Sequence, residues 1–418
     1  MRSSPRMSDQ PLKILCVSPL PPSPPRFGAQ ARTHGLMTNL ARFHEVSFVS
    51  LIEDDFDMAE CRQALMAYCR DVFLVPNHLA RGVIAKRGLQ IKSIFSPVSY
   101  DRLRVSVPAL QAVLNQVLRV NRFDIVNLEF PYLSFCNFRQ APVGERSPLL
   151  VVNSHEIAYD LARQFTVTGG PLRRLYAAAN WRKLKREELA TYGTADGVYL
   201  CSAADESRLR AQLASVQTAV VPNAADTTYF QPTAVDPLAF APTVLYFGLL
   251  STVPNVDGVK YFLNQIWPHV VKVHSNAVFK IVGGRAPKSL LANASPQVVF
   301  TGFVEDIRPH LASATAVVVP LRLGGGTRLK IVEAMAMGKA IVSTTLGCEG
   351  IEAVNGRNLL LEDHPEPFAA AVNRLLMEPE LRKQIGRSAR QLAVEKYSWA
   401  AAARNLEQFF RALLKAQS

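Results

Sequence analysis

No stretch of the sequence reaches the roughly 18 consecutive apolar residues of a membrane span. Cysteine is sparse and unpaired. The six, Cys16, Cys61, Cys69, Cys136, Cys201 and Cys348, form no CxxC and no metal-ligand spacing, and several lie in apolar runs such as KILCVS and GVYLCS. They are expected to be buried free thiols in a reducing compartment. Acidic residues are also in short supply, 34 against 47 Lys and Arg, so the formal net charge is +13, with both halves basic. Such a field favours phosphate-bearing ligands, anionic membrane surfaces or nucleic acid. Nucleic acid is not an expected partner, because no aromatics interleave on a basic sheet and no recognition helix stands out. There is no internal repeat of about 20 to 50 residues, and the one low-complexity tract is PLPPSPP at 19–25. The opening segment MRSSPRMSDQPLKILCV is basic, but its apolar run is too short for a secretion signal. A cytoplasmic location is the expectation, with peripheral contact at the inner face of the plasma membrane.

What is present is a large apolar fraction, 49% of 418 residues, enough for two or three domains with sizeable cores. Short β-rich runs alternate with helical stretches, the pattern of parallel sheets covered on both faces. The fold class expected is α/β, with two Rossmann-like doubly wound domains. KILCVS, VSFVSL, DVFLVP, DIVNLE, LLVVNS, GVYLCS and AVVP supply strands to a domain over 11–222. TVLYFG, FKIVGG, VVFTG, AVVVPL, AIVST and NLLLE supply a second domain over 243–392. Residues 223–242 have no clean periodicity and read as a linker. The tail, 393–418, carries Trp399, Leu406, Phe409, Phe410 and Leu413 as an apolar stripe and is expected to pack back on the first domain.

The densest chemistry lies in VVVPLRLGGGTRLKIVEAMAMGKAIVST, residues 317–344, where a strand enters three glycines and then a helix. Gly324, Gly325 and Gly326 allow close approach of a ligand to the backbone, and the helix N-terminus adds partial positive charge. Such a cradle suits a diphosphate. Arg328 and Lys330 add formal charge, and both can face one phosphate group only if Arg328 lies in the loop or the first turn. Glu333, three residues after Lys330, is placed either to accept ribose hydroxyls or to serve as a solvated partner of Lys330. An acidic cluster, EDDFD at 53–57, reads as a solvated approach to a helix, and no DxD-type metal pair stands out.

EAMAMGKAIVST after the Gly-rich loop, the upstream VVPNAADTTYF, and FTGFVEDIRPHLASATAVVVP together resemble the retaining nucleotide-sugar glycosyltransferases of the GT-B fold, family four, also called glycosyl transferases group one. The likeness is strongest to bacterial sugar transferases that accompany exopolysaccharide gene clusters. It implies two domains facing across a cleft, a nucleotide-diphosphate sugar as donor, a glycan or lipid-linked acceptor, and retention of configuration without a metal or other cofactor. It implies that Glu333 holds the ribose, that the stretch from Gly325 through Thr327 and Arg328 to Lys330 holds the diphosphate, and that Val304 meets the base through its backbone. His155 in VVNSHEIAYD takes the place of the histidine near the sugar, and Gly28 in RFGAQARTHGL takes that of the first domain's Gly-rich turn. Two positions depart from the family pattern. Gly325 stands where a glutamate is common, and Leu249 and Asn255 stand where an Arg and a Lys are common after the second domain's first strand. Arg328 and Lys330 are therefore expected to neutralise the diphosphate.

The segment PLRRLYAAANWRKLKREE, 171–188, sets six basic residues beside Leu172, Leu175, Tyr176 and Trp181. It suits an anionic bilayer, or else a solvated helix face balanced by Glu187 and Glu188. Two rival activities share this architecture: a nucleotide-sugar epimerase, and a non-catalytic nucleotide or carbohydrate binder.

Overall fold

The computed structural model describes residues 10–79, 82–164, 166, 170–233, 241–324 and 327–417. It divides into two compact units. One takes the chain up to Leu200, Asp205–Val221, and the chain from Ala403 onward; the other takes Cys201–Ala204 and Pro222–Ala402.

The first unit holds a seven-stranded sheet of β1 (Lys13–Ser18), β2 (Glu45–Ile52), β3 (Val72–Pro76), β4 (Ile125–Glu129), β5 (Leu149–Ser154), β6 (Gly197–Leu200) and β7 (Thr218–Val220). Its order is β3-β2-β1-β4-β5-β6-β7, and every pairing is parallel. Strands covered on both faces need near-continuous apolar sequence, and β1 and β5 are buried almost from end to end. The order reverses between β1 and β4, so the loops leaving these neighbours diverge and open a crevice at their carboxyl ends. The second unit repeats the plan with β8 (Thr243–Phe247), β9 (Val278–Val282), β10 (Val298–Gly302), β11 (Ala316–Val319), β12 (Ile341–Ser343) and β13 (Leu360–Leu361). Here the order is β10-β9-β8-β11-β12-β13, all parallel, and the reversal lies between β8 and β11.

Two expectations change in detail. Residues 223–233 are not a free linker, because backbone bonds join Ala225 to Tyr397 and Trp399, and the Arg390 guanidinium binds the carbonyls of Thr227, Phe230 and Ala336. The rest of that segment, 234–240, lies outside the described residues. Glu187 and Glu188 are not solvated balancing charges. They are buried on the helix Pro171–Thr194, Glu187 accepting from the Ser99 backbone and hydroxyl, and Glu188 from the amides of Ala158 and Tyr159 and the Tyr192 hydroxyl. Of the acidic cluster, Asp57 caps the helix Met58–Met66 by accepting from the Glu60 amide.

In the last helix, Trp399–Gln417, Leu406, Phe410 and Leu413 are buried. Phe410 meets the edge of Tyr199 in β6, and Glu407 faces His44, both contacts lying within the first unit. All six cysteines are buried and none is disulfide-bonded.

The helix Leu329–Ala336 ends at Gly338, whose carbonyl lies against Gly386 in the helix Pro379–Lys396. A Cβ at 386 would stand 2.1 Å from that oxygen, and backbone cannot yield as a flexible side chain can. Gly386→Ala is therefore expected to cost about 1–3 kcal/mol and to lower the midpoint of thermal unfolding by several degrees. Gly88→Ala, on a helix with open space around it, should leave the midpoint equal or higher. Differential scanning calorimetry of the two variants checks the pair.

Candidate functional site

In the second unit, β11 runs into the glycine loop and then the helix Leu329–Ala336, so loop and helix start lie at the carboxyl end of a strand beside the reversal point. Arg328 is the residue just before the helix, with φ −83° and ψ 111°, so it is extended rather than helical. That conformation frees its side chain from the helical rotation that would drive it away from Lys330. Gly324 has φ +114°, which only glycine adopts readily, and a Cβ there would be 2.6 Å from an Arg328 guanidinium nitrogen. The loop thus folds directly under the guanidinium. Gly325 and Gly326 lie outside the described residues.

Thr327 is buried. Its hydroxyl donates to the Cys201 carbonyl at 2.8 Å, and its own carbonyl accepts from Asn223 at 2.7 Å. Its side chain thus ties the loop to Cys201.

The Lys330 ammonium reaches back to the turn after β8. It donates to the Tyr246 hydroxyl and to Asn255 Oδ1, each at 2.9 Å, and sits 4.2 Å from the centre of the Tyr246 ring. A Cβ at Gly248 would come within 2.7 Å of Nζ. Tyr246, Gly248 and Asn255 therefore belong to the site, although sequence reasoning treated Asn255 only as a departure from a pattern. Lys330 thus brings a positive charge to the turn after β8.

Loss of water around the Lys330 ammonium, with Arg328 beside it, pulls its pKa down to about 7. Loss of water likewise pushes the Glu333 carboxyl up to about 7, against the opposing pull of Lys330. Two groups on one helix are thus held near the midpoint of their titration at neutral pH, a state that an anionic ligand would shift. Val304 follows β10, half-buried against the second unit's core.

The first unit carries the other two sequence candidates. Gly28 is exposed at the start of the helix Gly28–Leu40, which follows β1. His155 follows β5, with its Nε2 2.6 Å from Glu129 Oε2 and its ring stacked on Phe130 at 4.1 Å between centres. Glu129 is the last residue of β4 and wholly buried. Its pKa would rise on burial, but the His155 bond and charge, together with Thr33 and Arg32, hold it below the ordinary carboxylate value. Burial holds His155 below the usual imidazole value despite Glu129. The signal that could have exposed Glu129 is its place in DIVNLEF, a charge at the end of a run otherwise apolar enough for a buried strand.

The fold is that of the GT-B glycosyltransferases, two Rossmann-like α/β domains of parallel strands. The Anabaena protein HepE, solved in complex with UDP-glucose, is 14% identical and superposes with a TM-score of 0.64 over 96% of this chain and 100% of its own. Residues 241–378, most of the second unit, match the sequence model of the family described as glycosyl transferases group 1. Among curated proteins, the alpha-D-kanosaminyltransferase of Streptomyces kanamyceticus is 31% identical over 191 residues, 41% of this chain and 45% of its own. A 44.6 kDa protein of the cps region of Klebsiella pneumoniae is 23% identical over 163 residues, 37% of this chain and 42% of its own. The chain thus spans less than half the length of the curated relatives it matches.

The Glu333 carboxyl binds a proton more tightly in the fold than its ordinary value of 4.5 allows in the unfolded chain. Its contribution to stability is full below about pH 4.5 and lost as pH rises through about 7. Glu333→Gln should therefore gain thermal stability relative to wild type as pH rises from 4.5 to 7, then hold a constant lead. Paired thermal melts at half-unit pH steps check this sign.

Proposed function

We propose that the chain is a glycosyltransferase that moves a sugar from a nucleotide-diphosphate donor to a glycan or lipid-linked acceptor in the making of a cell-surface polysaccharide. The observation that carries the reading is the meeting of Arg328, Lys330, Gly248 and Gly324 at one strand-reversal crevice, a ready cradle for a diphosphate. The family match over 241–378 lies on that cradle. UDP-glucose in HepE supports a nucleotide-sugar donor, and the cps-region relative supports the polysaccharide setting.

In the reaction the acceptor hydroxyl oxygen forms a bond to the anomeric carbon, while the bond from that carbon to the diphosphate oxygen breaks. The acceptor's proton passes to the departing diphosphate. Positive groups fixed before the reaction stabilise the charge that develops on that leaving group. Arg328 and the helix start do this here, and Lys330 takes up a proton more readily once a diphosphate is bound. These groups supply the role that a divalent ion fills elsewhere, which is the basis for proposing metal independence. Retention of configuration, with entry on the face the diphosphate leaves, follows from the family resemblance. Glu333 accepts the ribose hydroxyls and the Val304 backbone meets the base.

The double variant Arg328→Ala, Lys330→Ala is expected to bind the donor diphosphate at least about a hundredfold more weakly, two lost charge-assisted contacts at roughly 1.5–3 kcal/mol each. Calorimetric titration with a nucleoside diphosphate measures it, and wild-type affinity in the variant would remove Arg328 and Lys330 from the site. A panel of nucleotide sugars, read by thermal stabilisation and then by transfer to acceptor, identifies the donor.

The acceptor side is proposed to work at an anionic bilayer. The helices Gly82–Phe95 and Pro171–Thr194 are joined by the Ser93–Tyr176 hydroxyl pair and by Lys183 and Arg186, which bind the carbonyls of Ser93 and Pro97. Ile84, Ile91 and Phe95 recur at helical spacing and are exposed, as are Leu172 and Leu175. Lys86, Arg87, Lys92, Arg174 and Arg182 stand exposed among them, and neither 82–95 nor 171–186 contains an acid. Apolar residues ringed by uncompensated cations suit a headgroup layer. Co-sedimentation should recover the protein with vesicles containing phosphatidylglycerol and not with pure phosphatidylcholine, and Ile91→Glu with Phe95→Glu should release it. Equal recovery on both vesicles would end the membrane proposal.

A further inference from the structure

The hydrogens around Lys330 Nζ, all within the second unit, can be assigned one by one. The Asn255 amide nitrogen donates to the Leu249 carbonyl at 2.8 Å, which turns Oδ1 toward the Tyr246 hydroxyl and Lys330. An amide oxygen can only accept, so Tyr246 donates its hydroxyl hydrogen to Asn255, at 2.7 Å, and offers Lys330 a lone pair. Nζ therefore gives one hydrogen to Tyr246 and one to Asn255, each at 2.9 Å. Among the described residues no third acceptor meets it. Beside it stands Gly248, with φ +148°, where a Cβ would lie 2.7 Å from Nζ. With no side chain at 248, a ligand oxygen can approach Nζ as closely as that Cβ would, which is hydrogen-bond distance.

We propose that Tyr246 and Asn255 are positioning residues that engage two hydrogens of Lys330 and reserve the third for a phosphate oxygen of the sugar donor. The proposal rests on the donor-diphosphate reading of this cradle and adds how Lys330 is aimed within it. It also makes the contact conditional on charge. A neutral amine has two hydrogens and one lone pair. With both hydrogens engaged, the lone pair takes the third direction and repels a phosphate oxygen, whereas an ammonium presents N–H there. The proton that Lys330 gains is thus the one that faces the ligand. The titratable groups around Nζ fit this role. Burial and Arg328 at the helix start weaken its hold on that proton, and Glu333 on the same helix opposes them, which leaves its pKa at about 7. Tyr246 in β8 keeps its own proton, because burial pushes the phenol up against the opposing pull of Arg328. Above neutral pH, a diphosphate that binds here draws a proton from solvent onto Nζ.

Calorimetric titration of the full chain at pH 8, in buffers of different ionisation enthalpy, counts the protons taken up with UDP, GDP or ADP, whichever stabilises the protein most. At that pH the terminal phosphate, with its second pKa near 6, is already ionised and contributes little. Wild type should take up about nine-tenths of a proton, and its affinity should fall roughly tenfold from pH 8 to pH 9. Glu333→Gln should keep that uptake, which assigns the proton to Lys330 rather than to the neighbouring carboxyl. Asn255→Asp places a carboxylate against Nζ and keeps Lys330 charged, so uptake should drop below about a fifth of a proton. Carbon-13 NMR at lysine Cε, assigned through Lys330→Arg, reads the same change without ligand, as a titration near pH 7 in wild type that moves above pH 9 in Asn255→Asp. Tyr246→Phe and Asn255→Leu should each bind the diphosphate roughly fivefold to tenfold more weakly. Binding to wild type without proton uptake, wild-type affinity in both Tyr246→Phe and Asn255→Leu, or an unmoved Lys330 titration in Asn255→Asp overturns the proposal. If Lys330 titrates as expected and none of the three diphosphates binds wild type at any pH, the donor reading of the cradle falls instead.

Discussion

Ionisable groups withdrawn from water at the carboxyl ends of parallel strands are the constraint on which this molecule turns. Burial opposes charge, and each such group stays only where neighbours compensate it. In the second unit the compensation is deliberately incomplete: Lys330 has a hydroxyl, an amide oxygen and an aromatic face, but Arg328 repels it. In the first unit Glu129 is fully satisfied by donors. One centre is poised to receive an anion, and the other is already built around one.

That difference follows from the sheets. Each unit reverses its strand order once, between β1 and β4 or between β8 and β11, and each places its charged groups on the loops and helix starts beside that reversal. Backbone approach is close there, as at Gly248 and Gly324, and helix starts contribute partial positive charge. Under the proposed function, the second unit's version is the one that takes a ligand with two phosphates.

Much of this was legible in the sequence because it is local. The thirteen strands among the described residues overlap the apolar runs that suggested them, since strands buried on both faces demand such runs. The glycine loop, Arg328, Lys330 and Glu333 were visible because backbone freedom and charge sit next to each other along the chain. Less visible were partners brought from far away. Lys330 meets Tyr246 across 84 positions, and Glu129 meets Thr33 across 96. Glu187 and Glu188 misled, because two acids after a basic run look like solvent-facing balance when their backbone partners near Ser99 and Ala158 are unknown.

The sequence by itself determined the α/β class, the two parallel sheets, the glycine loop with its neighbouring charges and the basic composition, all of which depend on residues within a turn or a strand of one another. Only the tertiary structure decided that Lys330 reaches Tyr246 and Asn255, that the Thr327 hydroxyl binds the Cys201 carbonyl, and that His155 rests on Glu129. Those outcomes depend on which strand ends the fold sets side by side. Hydrogen bonds and desolvation act over a few ångströms of space, whatever the separation along the chain.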